Sequence, residues 1–128
     1  MATVRYDTYI ARPPDEVYAA IADVPAMPTW FPGIAEARLD GDERTIKLEM
    51  GIDLVERVVT DDPVLRRYQY AIVGGIPLEH HLGTLDVLAE GEGSRVVYGT
   101  DVRPDEMSGI VGPATEGALA GLKAKLEG

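Results

Sequence analysis

Apolar and polar residues alternate along most of the chain, and this period of two predicts β-strands. In the first segment, residues 3–11, the side chains of Val4, Tyr6, Thr8 and Ile10 share one face. The alternation returns in six later segments, separated by short turns rich in glycine, proline or acidic residues: 34–39, 45–50, 52–61, 67–73, 78–89 and 94–103. Because strands joined by short turns pair antiparallel, the pattern predicts an antiparallel sheet of about seven strands.

Two stretches between the first and second strands predict short helices. Residues 13–16 read Pro-Pro-Asp-Glu, and proline followed by acidic residues is typical of the first turn of a helix. Pro25 and Pro28 interrupt this helix and leave a second short helix or turn at residues 26–33.

The stretch from residue 104 to residue 128 has helical periodicity. Acidic residues near its start and lysines near its end match the helix dipole. Its middle is rich in glycine and alanine, which indicates either a core helix packed tightly on its neighbour or a slim helix that covers a pocket. The strand faces described below favour the second interpretation. The apolar stripe of this helix recurs at steps of three and four residues: Met107, Ile110, Val111, Ala114, Ala118, Leu122 and Leu126.

A sheet with one apolar face needs a cover, and the C-terminal helix is the only segment long enough to provide it. We therefore predict an α+β fold in which a curved antiparallel sheet grips a long C-terminal helix, with two short helices between the first two strands. The length of 128 residues predicts a single domain spanning residues 1–128, large enough for a core and a ligand cavity.

Several short motifs carry a resemblance to a known family. They are Ile-Ala-Arg-Pro-Pro-Asp-Glu-Val-Tyr at 10–18, Ala-Asp-Val at 22–24, Trp-Phe-Pro-Gly at 30–33, Asp-Pro at 62–63 and Leu-Ala-Gly-Leu-Lys at 119–123. With the order of elements, they resemble the SRPBCC superfamily, whose members have the START-like helix-grip fold. The closest group is the polyketide cyclase/dehydrase and lipid-transport family. The resemblance implies a deep cavity between sheet and long helix that takes a hydrophobic or polycyclic ligand.

The strand alternation selects the side chains that face this cavity. If the apolar residues of each strand point inward, period two carries eight polar or aromatic residues inward with them: Tyr6, Thr8, Glu56, Tyr68, Tyr70, His81, Tyr98 and Thr100. Four of these are tyrosines, whose buried hydroxyls need partners, so we predict a tyrosine-lined pocket. The resemblance places Trp30 and Phe31 at its wall or mouth, although both also suit a hydrophobic plug. The predicted ligand contacts are Tyr6, Trp30, Phe31, Tyr68, Tyr98, Thr100, Met107 and Val111.

Three inward residues are candidates for catalysis. His81 suits acid–base chemistry, because histidine titrates near neutral pH. Glu56 would be costly to bury unpaired, so it either pairs with His81 or a tyrosine inside the cavity or lies at the surface beside an arginine. Tyr70 would steady a developing enolate oxygen. The aromatases of the resembled family have an arginine inside the pocket. No arginine is expected in the pocket of this chain, because the arginines of its predicted strands have the parity of the outward face: Arg38, Arg57, Arg67 and Arg103.

Composition excludes several classes of function. The formal net charge of −10 disfavours nucleic acids and anionic membrane surfaces as partners. The chain has no cysteine, and no cluster of histidine and acidic residues has the spacing of metal ligands, so neither a metal nor a cofactor is predicted. No segment reads as a secretion signal or a membrane span. We expect a cytoplasmic protein, monomeric or homodimeric, whose partner is a hydrophobic small molecule.

Three functions remain open from the sequence. The first is a small-molecule enzyme of the polyketide cyclase or aromatase type, which folds a poly-carbonyl chain and promotes its cyclisation and dehydration. The second is a non-catalytic carrier or sensor of a hydrophobic ligand such as a lipid, sterol or polyketide. The third is a protein-interaction module with an acidic surface. A cavity containing perturbed His81 and Glu56 side chains would favour the enzyme.

Overall fold

The sheet consists of seven antiparallel strands in the order β1-β7-β6-β5-β4-β3-β2, as a computed structural model of residues 1–128 describes it. Every strand after β1 pairs with the next one in sequence, and β7 returns to pair with β1. The predicted meander is confirmed. The strands are β1 (Ala2–Ile10), β2 (Ile34–Asp40), β3 (Glu43–Leu48), β4 (Asp53–Asp62), β5 (Arg67–Gly74), β6 (His80–Glu90) and β7 (Gly93–Arg103).

Two short helices separate β1 from β2, as predicted. They are α1 (Pro14–Ala22) and a 3-10 helix at Val24–Thr29. The C-terminal segment begins with a 3-10 turn at Asp105–Met107 and continues as the long helix α2 (Ser108–Glu127). The α+β helix-grip fold predicted from the sequence is therefore confirmed, and α2 begins four residues after the start of the segment that its periodicity suggested.

The hydrophobic core occupies the concave side of the sheet beneath α1 and the second half of α2. Val17 and Ile21 of α1 and Leu119 and Leu122 of α2 are all buried there. Burial of a side chain of this size contributes about 1.5–3 kcal/mol. One end of the molecule is therefore closed by packing, which leaves the opposite end free to form a cavity.

The curvature of the sheet has a local cause in its pairing. The β4–β5 register shifts between Val55 and Glu56 and again between Val58 and Thr60, and such bulges bend a strand. The β5–β6 pairing ends at Tyr70 and Gly83. Beyond this pair the two strands separate, and the sheet opens toward the first half of α2.

The helix α2 covers a cavity, as predicted, but its glycines do not line that cavity. A Cβ at Gly121 would lie 1.9 Å from the carbonyl oxygen of Trp30, and one at Gly112 would lie 3.4 Å from the Tyr6 hydroxyl. These glycines let the helix approach its neighbours closely, so tight packing is the correct interpretation for them. The cavity lies instead under larger side chains in the first half of the helix.

Candidate functional site

A cavity of about 520 Å³ lies between the first half of α2 and the opened end of the sheet. Of its 24 lining residues, 16 are hydrophobic, as is typical of small-molecule sites. Together with the turn before it, the helix contributes five of the 24 lining residues: Met107, Ile110, Val111, Ala114 and Thr115. The remaining apolar wall comes from the strands and the connection before β2, and it includes Met27, Phe31, Ile34, Ile46, Leu48, Leu54 and Ile72.

The entrance is marked by apolar side chains that reach solvent. Met50, in the β3–β4 turn, is 75% exposed, and Ile110 on α2 is 66% exposed, yet both line the cavity. Ile76, in the β5–β6 loop, also belongs to the lining. The Gly-Gly-Ile-Pro loop that contains it is therefore part of the rim.

A row of polar residues crosses the floor of this apolar cavity. Each strand from β3 to β7 contributes at least one of them, and adjacent strand positions bring them together: Arg44, Glu56, Tyr70, His81, Tyr98 and Thr100. All six are buried.

Arg44 and Glu56 form a buried ion pair at one end of the row. They face each other across β3 and β4, and the side chains are only 3% and 5% exposed. Nη2 and Nε of Arg44 donate to the same oxygen, Oε1 of Glu56, at 2.5 and 3.0 Å. Burial raises the pKa of Glu56, and the guanidinium opposes that rise. Arg44 Cζ also lies 4.3 Å from the ring centre of Tyr70, a cation–π distance.

The prediction that no arginine enters the pocket is wrong. Arg44 has the same parity as Ile46, but the acidic residues before it predict a turn and a strand that begins at residue 45, whereas β3 already begins at Glu43. Extending the alternation by one more step would have found it. Glu56 is buried in the cavity, as one of its two alternatives predicted. Its partner, however, is Arg44 rather than His81 or a tyrosine.

Tyr70 and Tyr98 are joined through their hydroxyl groups, which form a hydrogen bond in the cavity floor. Burial is the main cause that raises the pKa of Tyr98 to about 12, and it raises the pKa of Tyr70 well above its usual value. Gly83 makes this pair possible, because the Tyr70 ring occupies the space where a Cβ would lie. Both phenols are therefore neutral donors at physiological pH.

His81 is held as a neutral imidazole. Its Nδ1 accepts a hydrogen bond from the backbone N–H of Ile72 at 3.1 Å, where the β5–β6 ladder has already ended. An accepting Nδ1 assigns the proton of the neutral ring to Nε2. Burial, with smaller effects of His80 and Arg44, lowers the pKa of His81 to about 4. Neighbouring His80 is exposed, as the strand parity predicted.

Thr100 has a buried hydroxyl with no hydrogen-bond partner in the protein. The residue is 1% exposed and lines the cavity, and its Oγ1 is unpaired. The other threonine of the lining, Thr115, donates instead to the carbonyl of Val111 at 2.9 Å. Buried hydroxyls are nearly always bonded, so the unpaired hydroxyl of Thr100 can bond to a ligand in the cavity.

Three predicted ligand contacts do not line the cavity. Tyr68 belongs to the core behind Arg44, whose Cζ lies 5.5 Å from its ring centre. Tyr6 lies on edge strand β1 under Gly112. Trp30 packs against Phe31 and lines a second, shallower cavity of about 450 Å³ on the outside of the same wall. The structure brings the other eight together at the main cavity: His81, Glu56, Tyr70, Phe31, Tyr98, Thr100, Met107 and Val111.

Comparison with known proteins agrees with this architecture. The family model described as polyketide cyclase/dehydrase and lipid transport matches residues 1–127. No curated protein matches the chain in sequence. None of the helices combines the length and apolar character needed to cross a membrane.

Three solved structures illustrate the likeness in fold. XoxI from Bacillus cereus superposes with a TM-score of 0.87 at 23% identity, over 99% of this chain and 96% of that one. A START superfamily protein from Mycobacterium smegmatis superposes with a TM-score of 0.86 at 14% identity, over 98% of this chain and 97% of that one. The di-domain ARO/CYC protein BexL from the BE-7585A biosynthetic pathway gives 0.85 at 22% identity, over 99% of this chain and 47% of that one.

Proposed function

Because the chain belongs to the polyketide cyclase/dehydrase and lipid-transport family, we propose a function for its cavity: it binds a largely apolar small molecule, as a carrier or sensor that leaves the ligand chemically unchanged. One observation carries the proposal. Each predicted acid–base group of the floor is already bonded to a protein partner, whereas the hydroxyl of Thr100, which transfers no proton at neutral pH, is unpaired.

His81 is poorly suited to act as a general base in this arrangement. Its Nδ1 lone pair is used by the N–H of Ile72, so the nitrogen left for a ligand is a donor. A pKa of about 4 also lies well below neutral pH, and catalytic bases work best when their pKa is near the working pH. At neutral pH, His81 therefore supports ligand binding as a neutral hydrogen-bond donor.

Glu56 and Tyr70 are restrained in the same way. Two hydrogen bonds hold Oε1 of Glu56 to Arg44, and proton uptake there would weaken a buried ion pair. The hydroxyl of Tyr70 is bonded to that of Tyr98.

The cavity volume of about 520 Å³ falls within the range of ligand sites, roughly 300–1,000 Å³. These features support a rigid, preformed binding site.

Binding is tested with N-phenyl-1-naphthylamine, a neutral aromatic probe whose fluorescence rises in apolar surroundings. We expect saturable binding by the wild type and its loss in Val111→Trp, which fills the cavity from the helix. Ala120→Trp adds the same side chain to the exposed face of α2 and should bind like the wild type. Equal binding by the two variants would place the probe elsewhere and refute the proposal.

A second candidate, a polyketide cyclase or aromatase, is favoured by two observations. His81 and Glu56 both line the cavity and both have shifted pKa values, as expected for an enzyme. Arg44, the tyrosine pair and His81 direct several hydrogen-bond donors at one region of the cavity, and preorganised donors stabilise an enolate oxygen. A cavity that holds one folded conformer also lowers the entropic barrier to ring closure.

The two candidates are separated by recovering the ligand. Native mass spectrometry of protein from its own producer should release a bound compound, and incubation of that compound with fresh protein should leave both its mass and its chromatographic retention unchanged. Loss of water on incubation, abolished in Tyr70→Phe, would instead establish the cyclase.

A further inference from the structure

We propose that Glu56 sets the charge selectivity of the cavity: by neutralising Arg44, it restricts the site to ligands whose polar end is uncharged. This inference rests on the proposed ligand binding and names the chemical class that the site accepts. The class is an apolar, ring-sized molecule that carries a hydrogen-bond acceptor such as a ketone.

The geometry of the ion pair is the first step. Arg44 and Glu56 both line the cavity, on adjacent positions of β3 and β4. An unpaired arginine in an apolar cavity would bind a carboxylate, because its planar donors match that group. Here the protein supplies the carboxylate itself, at 2.5 and 3.0 Å from Nη2 and Nε.

The rest of the floor offers no unpaired cation. His81 is a neutral imidazole, the tyrosines are neutral phenols, and Thr100 carries a hydroxyl. A carboxylate entering the cavity would lose its hydration without gaining an opposite charge, which is strongly unfavourable. A neutral carbonyl loses far less hydration and meets the donors of Thr100 and His81.

Two ligands of nearly the same shape test this selectivity. They are 2-acetonaphthone, a neutral ketone, and 2-naphthoate, its carboxylate counterpart, each measured by displacement of N-phenyl-1-naphthylamine at pH 7.5. We expect the wild type to bind the ketone at least about tenfold more tightly than the carboxylate. In Glu56→Gln the freed guanidinium should reverse the preference or abolish it.

Glu36→Gln is the matched control. It removes the same charge from an exposed position on β2 outside the cavity, and we expect it to keep the wild-type preference. If Glu56→Gln is too unstable to titrate directly, thermal unfolding in the presence of each ligand gives the same comparison: naphthoate should raise its Tm at least as much as the ketone does. The wild type should show the opposite order.

The outcomes separate the two proposals. Failure of the wild type to bind the probe or either ligand would overturn the proposed function and this inference with it. Equal wild-type binding of ketone and carboxylate, or an unchanged preference in Glu56→Gln, would overturn the charge selectivity alone and leave ligand binding intact.

Discussion

Gly83 lies directly beneath the ring of Tyr70, and a Cβ at position 83 would be 2.5 Å from Cε1 of that tyrosine. The absence of a side chain on β6 therefore allows the Tyr70 ring to lie across the neighbouring strand. In this position its hydroxyl reaches that of Tyr98 on β7. One glycine in the sheet thus shapes the polar floor of the cavity.

Gly83→Ala should displace the Tyr70 ring and break its bond to Tyr98. Overpacking of this kind costs about 1–3 kcal/mol of unfolding free energy, measured by urea denaturation. Gly99→Ala on adjacent β7 is the control, because its Cβ would meet its nearest atoms at 3.6 and 3.8 Å. Equal stability of the two variants would show that the Tyr70 ring does not depend on Gly83.

The buried ion pair should be far more sensitive to loss of one partner than to loss of both. Arg44→Met or Glu56→Leu alone leaves a buried charge unpaired and should cost about 3–5 kcal/mol, whereas the double variant should recover most of that loss. The exposed pair Arg67–Asp86, with N–O distances of 2.8 and 3.0 Å, is the comparison. Asp86→Asn should cost about 1 kcal/mol or less, and additive losses at Arg44 and Glu56 would contradict the buried coupling.

His81 should make stability depend on pH in the acidic range. Its pKa falls from 6.5 to about 4 on folding, so between these values the unfolded state binds more protons. Neutral His81 therefore contributes about 3 kcal/mol to the free energy of unfolding. This contribution is complete above pH 6.5 and is lost as the pH falls toward 4. Urea midpoints should therefore change less over this range in His81→Gln than in the wild type.

His80→Gln provides the control for that experiment, because His80 is exposed on the opposite face of β6. It should retain most of the wild-type pH dependence, because burial lowers the pKa of His81 more than the charge of His80 does. An identical pH profile for His81→Gln and the wild type would mean that His81 is not held neutral by its surroundings.

Much of the site follows from the alternation of residues along the strands. Period two placed His81 and Thr100 on the inner face, and the structure has both at the cavity. The same rule correctly placed Tyr6 and Tyr68 on the inner face, but it did not predict where along the sheet these side chains lie. It therefore did not show that Tyr6 lies under Gly112 or that Tyr68 belongs to the closed, packed end. Parity decides the face, whereas curvature and strand order decide what each face touches.

Long-range pairing is the part that local sequence could not provide. The partner of Glu56 is Arg44, twelve positions earlier, and the register of β3 with β4 brings them together. Likewise the hydrogen bond from Ile72 to His81 depends on where the β5–β6 ladder ends. These pairings decide whether a group is free to react, which is why the sequence left the enzyme and the carrier open.

Substitution of glycine by alanine should have opposite effects on stability at two positions of α2. A Cβ at Gly121 would lie 1.9 Å from the carbonyl oxygen of Trp30, so Gly121→Ala must push the helix away and destabilise the fold. At Gly117 the nearest atom is 3.9 Å away, and Gly117→Ala should stabilise the helix by about 0.5–1 kcal/mol. Thermal unfolding of both variants checks this, and a gain in Tm for Gly121→Ala would contradict the close approach.

The central claim is that the cavity under the first half of α2 binds a neutral apolar ligand. The most direct measurement is a two-dimensional ¹H–¹⁵N NMR titration with 2-acetonaphthone. We predict saturable shifts of the backbone amides of Thr100, Ile72 and Val111, which surround the cavity. Shifts confined to Trp30 and Gly121, beside the shallower second cavity, or no shifts at all, would contradict the account.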